Sequence, residues 1–166
     1  MTKKINAAIR LIKLWKPWTT EDFSKTGLRL NKVGEGAFRK AFHIVGLPLI
    51  IKFPKEDDGD LRTCIRHSVI EVRKIKALRE FSILRPHLPK IYYFDKTSGV
   101  VVMEYIDDTK IKTDFADTDA ARAYGVDRLV ARLIKAHTGI TVEDFSADNV
   151  RYDRKTRFIK LIDVAY

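Results

Sequence analysis

The chain of 166 residues carries 32 Lys and Arg against 22 Asp and Glu, a net charge of +10. Its 45% hydrophobic content is enough for one domain with a core, and no apolar run approaches the roughly 18 residues of a membrane-spanning helix. A single cysteine, Cys64, excludes an internal disulfide framework and fits a reducing, cytoplasmic compartment, and four scattered histidines offer no zinc spacing. Met1-Thr2-Lys3-Lys4 begins like a basic signal region, but Arg10, Lys13 and Lys16 interrupt any apolar core, so export is not expected.

In chain order, residues 4–16 place Ile5, Ala8, Ile9, Ile12 and Trp15 at helical spacing with Lys and Arg opposite. The pattern predicts an amphipathic helix ended by Pro17, with its stripe packed on the neighbouring lobe rather than laid on a membrane. Thr20-Glu21-Asp22 predicts the cap of a further short turn. Leu28 to Phe42 predicts a hairpin across Val33-Gly34-Glu35-Gly36-Ala37-Phe38. Two glycines at this spacing let backbone N–H groups approach phosphate oxygens, although Gly-x-Gly also occurs in ordinary hairpin turns.

Gly46 to Phe53 predicts a strand whose apolar run, Leu49-Ile50-Ile51, ends in Lys52, and a cation so placed needs an anion. The acids of residues 56–60 precede a helix over about Leu61 to Phe81, where its dipole favours them. On that helix Ile65, Val69, Val72 and Ile75 line one face, with Glu71 beside it, so a Lys52–Glu71 pair follows. Pro86 and Pro89 mark a loop before the strand Ile91–Phe94, and Lys96-Thr97-Ser98-Gly99 reads as a hairpin turn.

Beyond Ile106 a polar linker opens at Asp107 and Asp108. Residues 117–137 read helical, with Ala121, Tyr124, Leu129, Leu133 and Ile134 as core; Gly125 weakens this helix by about 1 kcal/mol relative to alanine. Val150–Tyr152 and Phe158–Ile162 predict a hairpin carrying Asn149 at one end and Asp163 at the other. Ahead of it stands Asp144-Phe145-Ser146-Ala147-Asp148-Asn149. A carboxylate and an amide five apart, then a second carboxylate after a short hairpin, can divide two tasks. One group accepts a hydroxyl proton while the other two hold magnesium against a triphosphate.

Taken in order, the glycine hairpin, Lys52, Glu71, Asp144, Asn149 and Asp163 resemble the signature of the protein-kinase-like fold. Gly99-Val100-Val101-Val102-Met103-Glu104-Tyr105-Ile106 resembles the family's strand into the hinge. Leu133 to Ile140 resembles the helix end before its catalytic loop. There are departures. Arg39 stands where family members often carry a third loop glycine, and Val142-Glu143 replaces the usual His-Arg. Ser146 and Asp163-Val164-Ala165 are closer to RIO-type atypical kinases.

The resemblance implies an α+β fold with a five-stranded antiparallel N-lobe, one αC-type helix and a strongly truncated C-lobe of one helix, catalytic loop and hairpin. The expected division is an N-terminal helical extension over 1–27, the N-lobe over 28–106 and the C-lobe over 107–166. The residue before the catalytic aspartate normally reads an activation-loop phosphate, and its replacement fits a minimal kinase without that loop.

The implied cofactors are ATP and Mg2+. Main-chain groups of Gly34, Glu35, Gly36, Ala37 and Phe38 would cover the triphosphate, Lys52 would meet its α/β oxygens, and Glu71 would hold Lys52. Backbone groups of Glu104, Tyr105 and Ile106 would bind the adenine edge with Met103 behind it. Ser146 would lie near the transferred phosphate, Asn149 and Asp163 would coordinate the metal, and Asp144 would accept or orient the substrate hydroxyl. The implied activity is that of a serine/threonine protein kinase. The alternatives are a pseudokinase or nucleotide-binding scaffold acting through a partner, and a basic module associated with nucleic acid. The apolar underside of residues 120–134 is expected to engage a partner or a second copy.

Overall fold

The computed structural model describes residues 2–55, 60–106, 132–139, 141, 150–153 and 155–162. Two compact units emerge, Met1–Val72 with Lys90–Tyr105, and Arg73–Pro89 with Ile106–Tyr166.

In the first unit, helix α1 (Thr2–Trp15) buries Ile5, Ala8, Ile9 and Ile12, the stripe expected from the 3.6-residue period. Trp15 departs from that expectation and is 49% exposed. It is the last helical residue; Lys16 then takes a left-handed φ of 44° and Pro17 cannot continue the helix. Helix α2 (Thr20–Ser24) is capped by Thr19, one residue earlier than the sequence suggested, whose hydroxyl oxygen accepts from the Asp22 N–H at 3.1 Å. The turn drops Phe23 into the core.

Five strands follow: β1 (Leu30–Glu35), β2 (Arg39–Ile44), β3 (Leu49–Pro54), β4 (Ile91–Phe94) and β5 (Val101–Glu104). They form one sheet in the order β1-β2-β3-β5-β4, every neighbouring pair antiparallel. The five-stranded antiparallel sheet read from the sequence is therefore present, and the fold class is α+β.

Strand alternation gives the sheet two chemically different faces. Register pairs Phe42 with Ile51 and Ile51 with Val102, and these share a core with Ile44, Leu49, Phe53, Phe23 and the α1 stripe. Phe53 meets Phe23 and Phe42 edge to face, with ring centroids 6.2 and 5.9 Å apart. The same register puts Ala41 opposite Lys52, Lys52 opposite Val101 and Ile50 opposite Met103 on the other face.

Helix α3 (Leu61–Arg79) starts at Asp60, whose carboxylate accepts from the Arg62 N–H at 3.0 Å. Its fully or nearly buried positions are Cys64, Ser68, Glu71, Val72, Ile75 and Leu78, while Ile65 and Val69 are half-buried. The face predicted from Ile65, Val69, Val72 and Ile75 is thus rotated, bringing Glu71 from its edge to its middle. Two cations on the sheet draw the carboxylate inward, and the small side chains of Cys64 and Ser68 leave room for close approach. Gly99, at φ +71°, serves the same approach: a Cβ there would lie 2.9 Å from the Pro54 ring and 3.1 Å from the Ile65 backbone.

The second unit holds the end of α3, a 3-10 turn at Arg85–His87, a helical stretch over 132–138, and the hairpin of β6 (Val150–Asp153) and β7 (Phe158–Leu161). Arg79 donates to the Leu88 carbonyl at 2.6 Å and to the Arg85 carbonyl at 3.2 Å, which satisfies the loop backbone after the helix. Ile134 is fully buried and Leu133 half-buried; residues 117–131 of the predicted helix, with Ala121, Tyr124, Gly125 and Leu129, lie outside the described residues. The hairpin pairs Val150 with Leu161 and turns at Asp153, whose carboxylate accepts from the Lys155 N–H at 3.0 Å and the Thr156 hydroxyl at 2.7 Å. Burial raises the Asp153 pKa, but hydrogen bonds from Thr156 and Lys160 outweigh it and hold the carboxyl below its usual range. Among the described residues no helix is long and apolar enough to cross a membrane.

Candidate functional site

Lys52 points to the α3 side because β3 alternates, leaving Ile51 and Phe53 on the opposite, apolar face. Its Nζ donates to Glu71 Oε1 at 2.8 Å, so the sequence-predicted pair is formed. The second carboxylate oxygen, Oε2, accepts from Nη1 of Arg39. Glu71 is 0% exposed, Lys52 7% and Arg39 8%. A carboxylate this deep persists only where paired and hydrogen-bonded charges offset its desolvation, and here both oxygens are used.

Arg39 as a partner of Glu71 was missed in the sequence. There it appeared only as a departure from a glycine. The signal that could have found it is the strand period: Arg39 and Ala41 share a face of β2, and Ala41 pairs with Lys52.

The glycine segment enters on β1, which carries a bulge between Lys32 and Gly34, and turns over residues 36–38 into β2. The Gly36 N–H donates to the Arg39 carbonyl at 2.9 Å, and the Lys55 N–H donates to the Phe38 carbonyl at 2.9 Å. Glu35 lies between Lys32 Nζ at 2.6 Å and Lys55 Nζ at 2.7 Å. Hydrogen bonds from Lys32 and then Lys55 lower its pKa to about 2. The Phe38 ring stacks on His67 of α3, with centroids 3.7 Å apart and planes at 13°.

A Cβ built at Gly34 or Gly36 meets no described atom within 4 Å, and neither glycine has a positive φ. Among the described residues, neither crowding nor backbone conformation accounts for glycine at these two positions. Among the described residues the space beside them is open, which would admit close approach of a ligand to the main chain.

On the same sheet face Met103 is 1% exposed, in β5 between Ile50 and Ile91. The Glu104 N–H donates to the Lys90 carbonyl at 2.8 Å and the Tyr105 N–H to the Pro48 carbonyl at 3.1 Å. Two amides of the predicted adenine-binding segment are therefore committed within the sheet unit. The Tyr105 ring stacks on His43, with centroids 4.2 Å apart. A groove of about 370 Å³ lined by Thr20, Phe23, Leu28, Leu30 and Phe42 among others opens on the α2 side of the sheet, away from Glu71, and belongs to no part of this arrangement.

Asp144, Ser146, Asn149 and Asp163 lie outside the described residues, so the predicted proton acceptor, phosphate neighbour and metal ligands stand as sequence expectations. The described hairpin supplies the pairing that joins the chain just after Asn149 to the chain just before Asp163.

No family model matches the chain, and no curated protein matches it. Among solved structures it is similar to a choline/ethanolamine kinase family protein from Mesorhizobium loti, at 16% identity and a TM-score of 0.45, covering 86% of this chain and 42% of that one. The chain thus spans less than half the length of that protein, and a likeness this weak carries no argument about activity.

Proposed function

We propose that the chain is an ATP- and magnesium-dependent phosphotransferase of protein-kinase-like fold, acting on a serine or threonine hydroxyl of a protein. The observation that carries this reading is the buried Lys52–Glu71 pair at 2.8 Å on the sheet face that follows the glycine turn. A lysine held by a carboxylate on a rigid strand presents a fixed cation to phosphate oxygens, and the absence of side chains at Gly34 and Gly36 lets the same group approach the main chain.

In this reading Lys52 binds the α/β phosphates, Glu71 orients it, and the main chain of residues 34–38, apart from the Gly36 N–H held by the Arg39 carbonyl, covers the tail. Met103 backs the adenine, the Ile106 amide and hinge carbonyls read its edge, and Ser146 lies near the transferred group. Asp144 accepts or orients the substrate hydroxyl. Asn149 and Asp163 supply the oxygen ligands magnesium prefers; bound there, the ion would neutralise phosphate charge.

The test is transfer of labelled phosphate from ATP to a generic protein substrate or to the chain itself. Asp163→Ala is expected to lower transfer by about 100-fold or more with an unchanged circular dichroism spectrum. Equal labelling by that variant rules out the assignment. Magnesium-dependent ATP binding without any transfer turns the reading to a nucleotide-binding scaffold.

A further inference from the structure

We propose that Arg39 is a positioning residue of the phosphate-binding part of this site, and that it couples the glycine turn to Lys52 through their shared carboxylate. The inference rests on the phosphotransferase reading and adds to it a residue that the resemblance expects to be glycine.

Glu71 receives Lys52 on one oxygen and Arg39 on the other. Neither cation moves without disturbing the other's acceptor. Arg39 is also the residue that closes the glycine turn, since its carbonyl accepts from the Gly36 N–H at 2.9 Å. The residue before it, Phe38, stacks on His67, one helical turn ahead of Glu71 on α3. Backbone, ring and guanidinium contacts therefore fix the exit of the turn to the same helical face that holds Lys52. A loop built for phosphate contact is most mobile when nothing but its glycines defines it. Here its end is docked on the helix before any ligand arrives, which lowers the ordering cost of binding.

The guanidinium has a second effect. Arg39 and Lys52 project from the same sheet face at diagonal positions, because Ala41 pairs with Lys52. An anionic tail close to Lys52 lies within the field of both cations.

The experiment uses the full chain and measures magnesium-ATP affinity calorimetrically, with KM and kcat wherever transfer is seen. Arg39→Gln keeps hydrogen-bond donors for Glu71 and removes the charge; Arg39→Gly installs the family-like glycine; Arg39→Lys restores a cation. Affinity is expected to fall about tenfold in Arg39→Gln and at least as much in Arg39→Gly, with the loss in KM rather than kcat, and to recover largely in Arg39→Lys. Melting curves place each variant below its transition during the assay. Should Arg39→Gln be unfolded there, Arg39→Lys carries the test: near wild-type affinity supports the coupling, and a loss as large as in Arg39→Gly overturns it. Affinities of Arg39→Gln and Arg39→Gly equal to wild type overturn the inference while leaving the phosphotransferase reading intact. A wild-type chain that binds no ATP with magnesium overturns both.

Discussion

Glu71 accepts from two cations while each cation reaches it by one bond, and this makes the three residues unequal in stability. Removing the carboxylate takes from two buried cations the acceptor they share, so Glu71→Ala is expected to cost about 3–5 kcal/mol. Lys52→Met leaves Glu71 bonded to Arg39 and is expected to cost less, about 1–2 kcal/mol. Urea titration of both variants checks the order, and a larger loss for Lys52→Met contradicts the shared-acceptor arrangement. Glu35 behaves differently because it is exposed to solvent. Its native pKa is about 2 against an ordinary 4.5, so the native state binds its proton less tightly than the unfolded chain does. The stabilisation is present above about pH 4.5 and disappears as pH falls through about 2, which is the sign expected of a depressed carboxylate. An NMR titration of Glu35 should show that low midpoint and an upward shift with added salt, since exposed pairs are screened.

Among the elements, α1 separates packing from composition. Ile12 is 0% exposed and Leu14 74%, two residues apart on one helix. Ile12→Ala is expected to destabilise by about 2–4 kcal/mol, and Leu14→Ala to change stability by no more than about 0.5 kcal/mol. Thermal or chemical melts decide it; equal effects would mean that α1 is not anchored by its Ile5–Ile12 stripe. That stripe was legible because four apolar residues recur at helical spacing. The orientation of α3 was less so. Hydropathy favours Ile65 and Val69 for the core, yet Cys64, Ser68 and Glu71 take it, because a paired carboxylate and small side chains fit closer to the sheet than branched ones.

For the whole molecule, ligand linkage tests the proposed function without knowledge of the substrate. A nucleotide that binds only the folded chain should stabilise it by about 2.7 kcal/mol at 100 times its dissociation constant. ATP with magnesium is expected to raise the melting temperature, and Asp163→Ala to remove the magnesium dependence of that rise. A wild-type melt unmoved by the pair argues against nucleotide binding altogether. The +10 net charge bears on this measurement, because a basic surface attracts any polyanion at low salt. The comparison therefore belongs at physiological ionic strength, with inorganic triphosphate as the control.

Periodicity and punctuation in the chain determined the strands and the two longer helices, since period-2 and period-3.6 patterns and turn glycines are local properties, and the motif order resembling a protein-kinase-like signature singled out Lys52 and Glu71 as a pair. Folding alone decided that Arg39 joins that pair, that Phe38 docks on His67, and that the Glu104 and Tyr105 amides are spent within the sheet. Those contacts link residues far apart in sequence. Which side chain fills a buried acceptor depends on sheet register and on how close a helix can approach, and neither is written in any short stretch of residues.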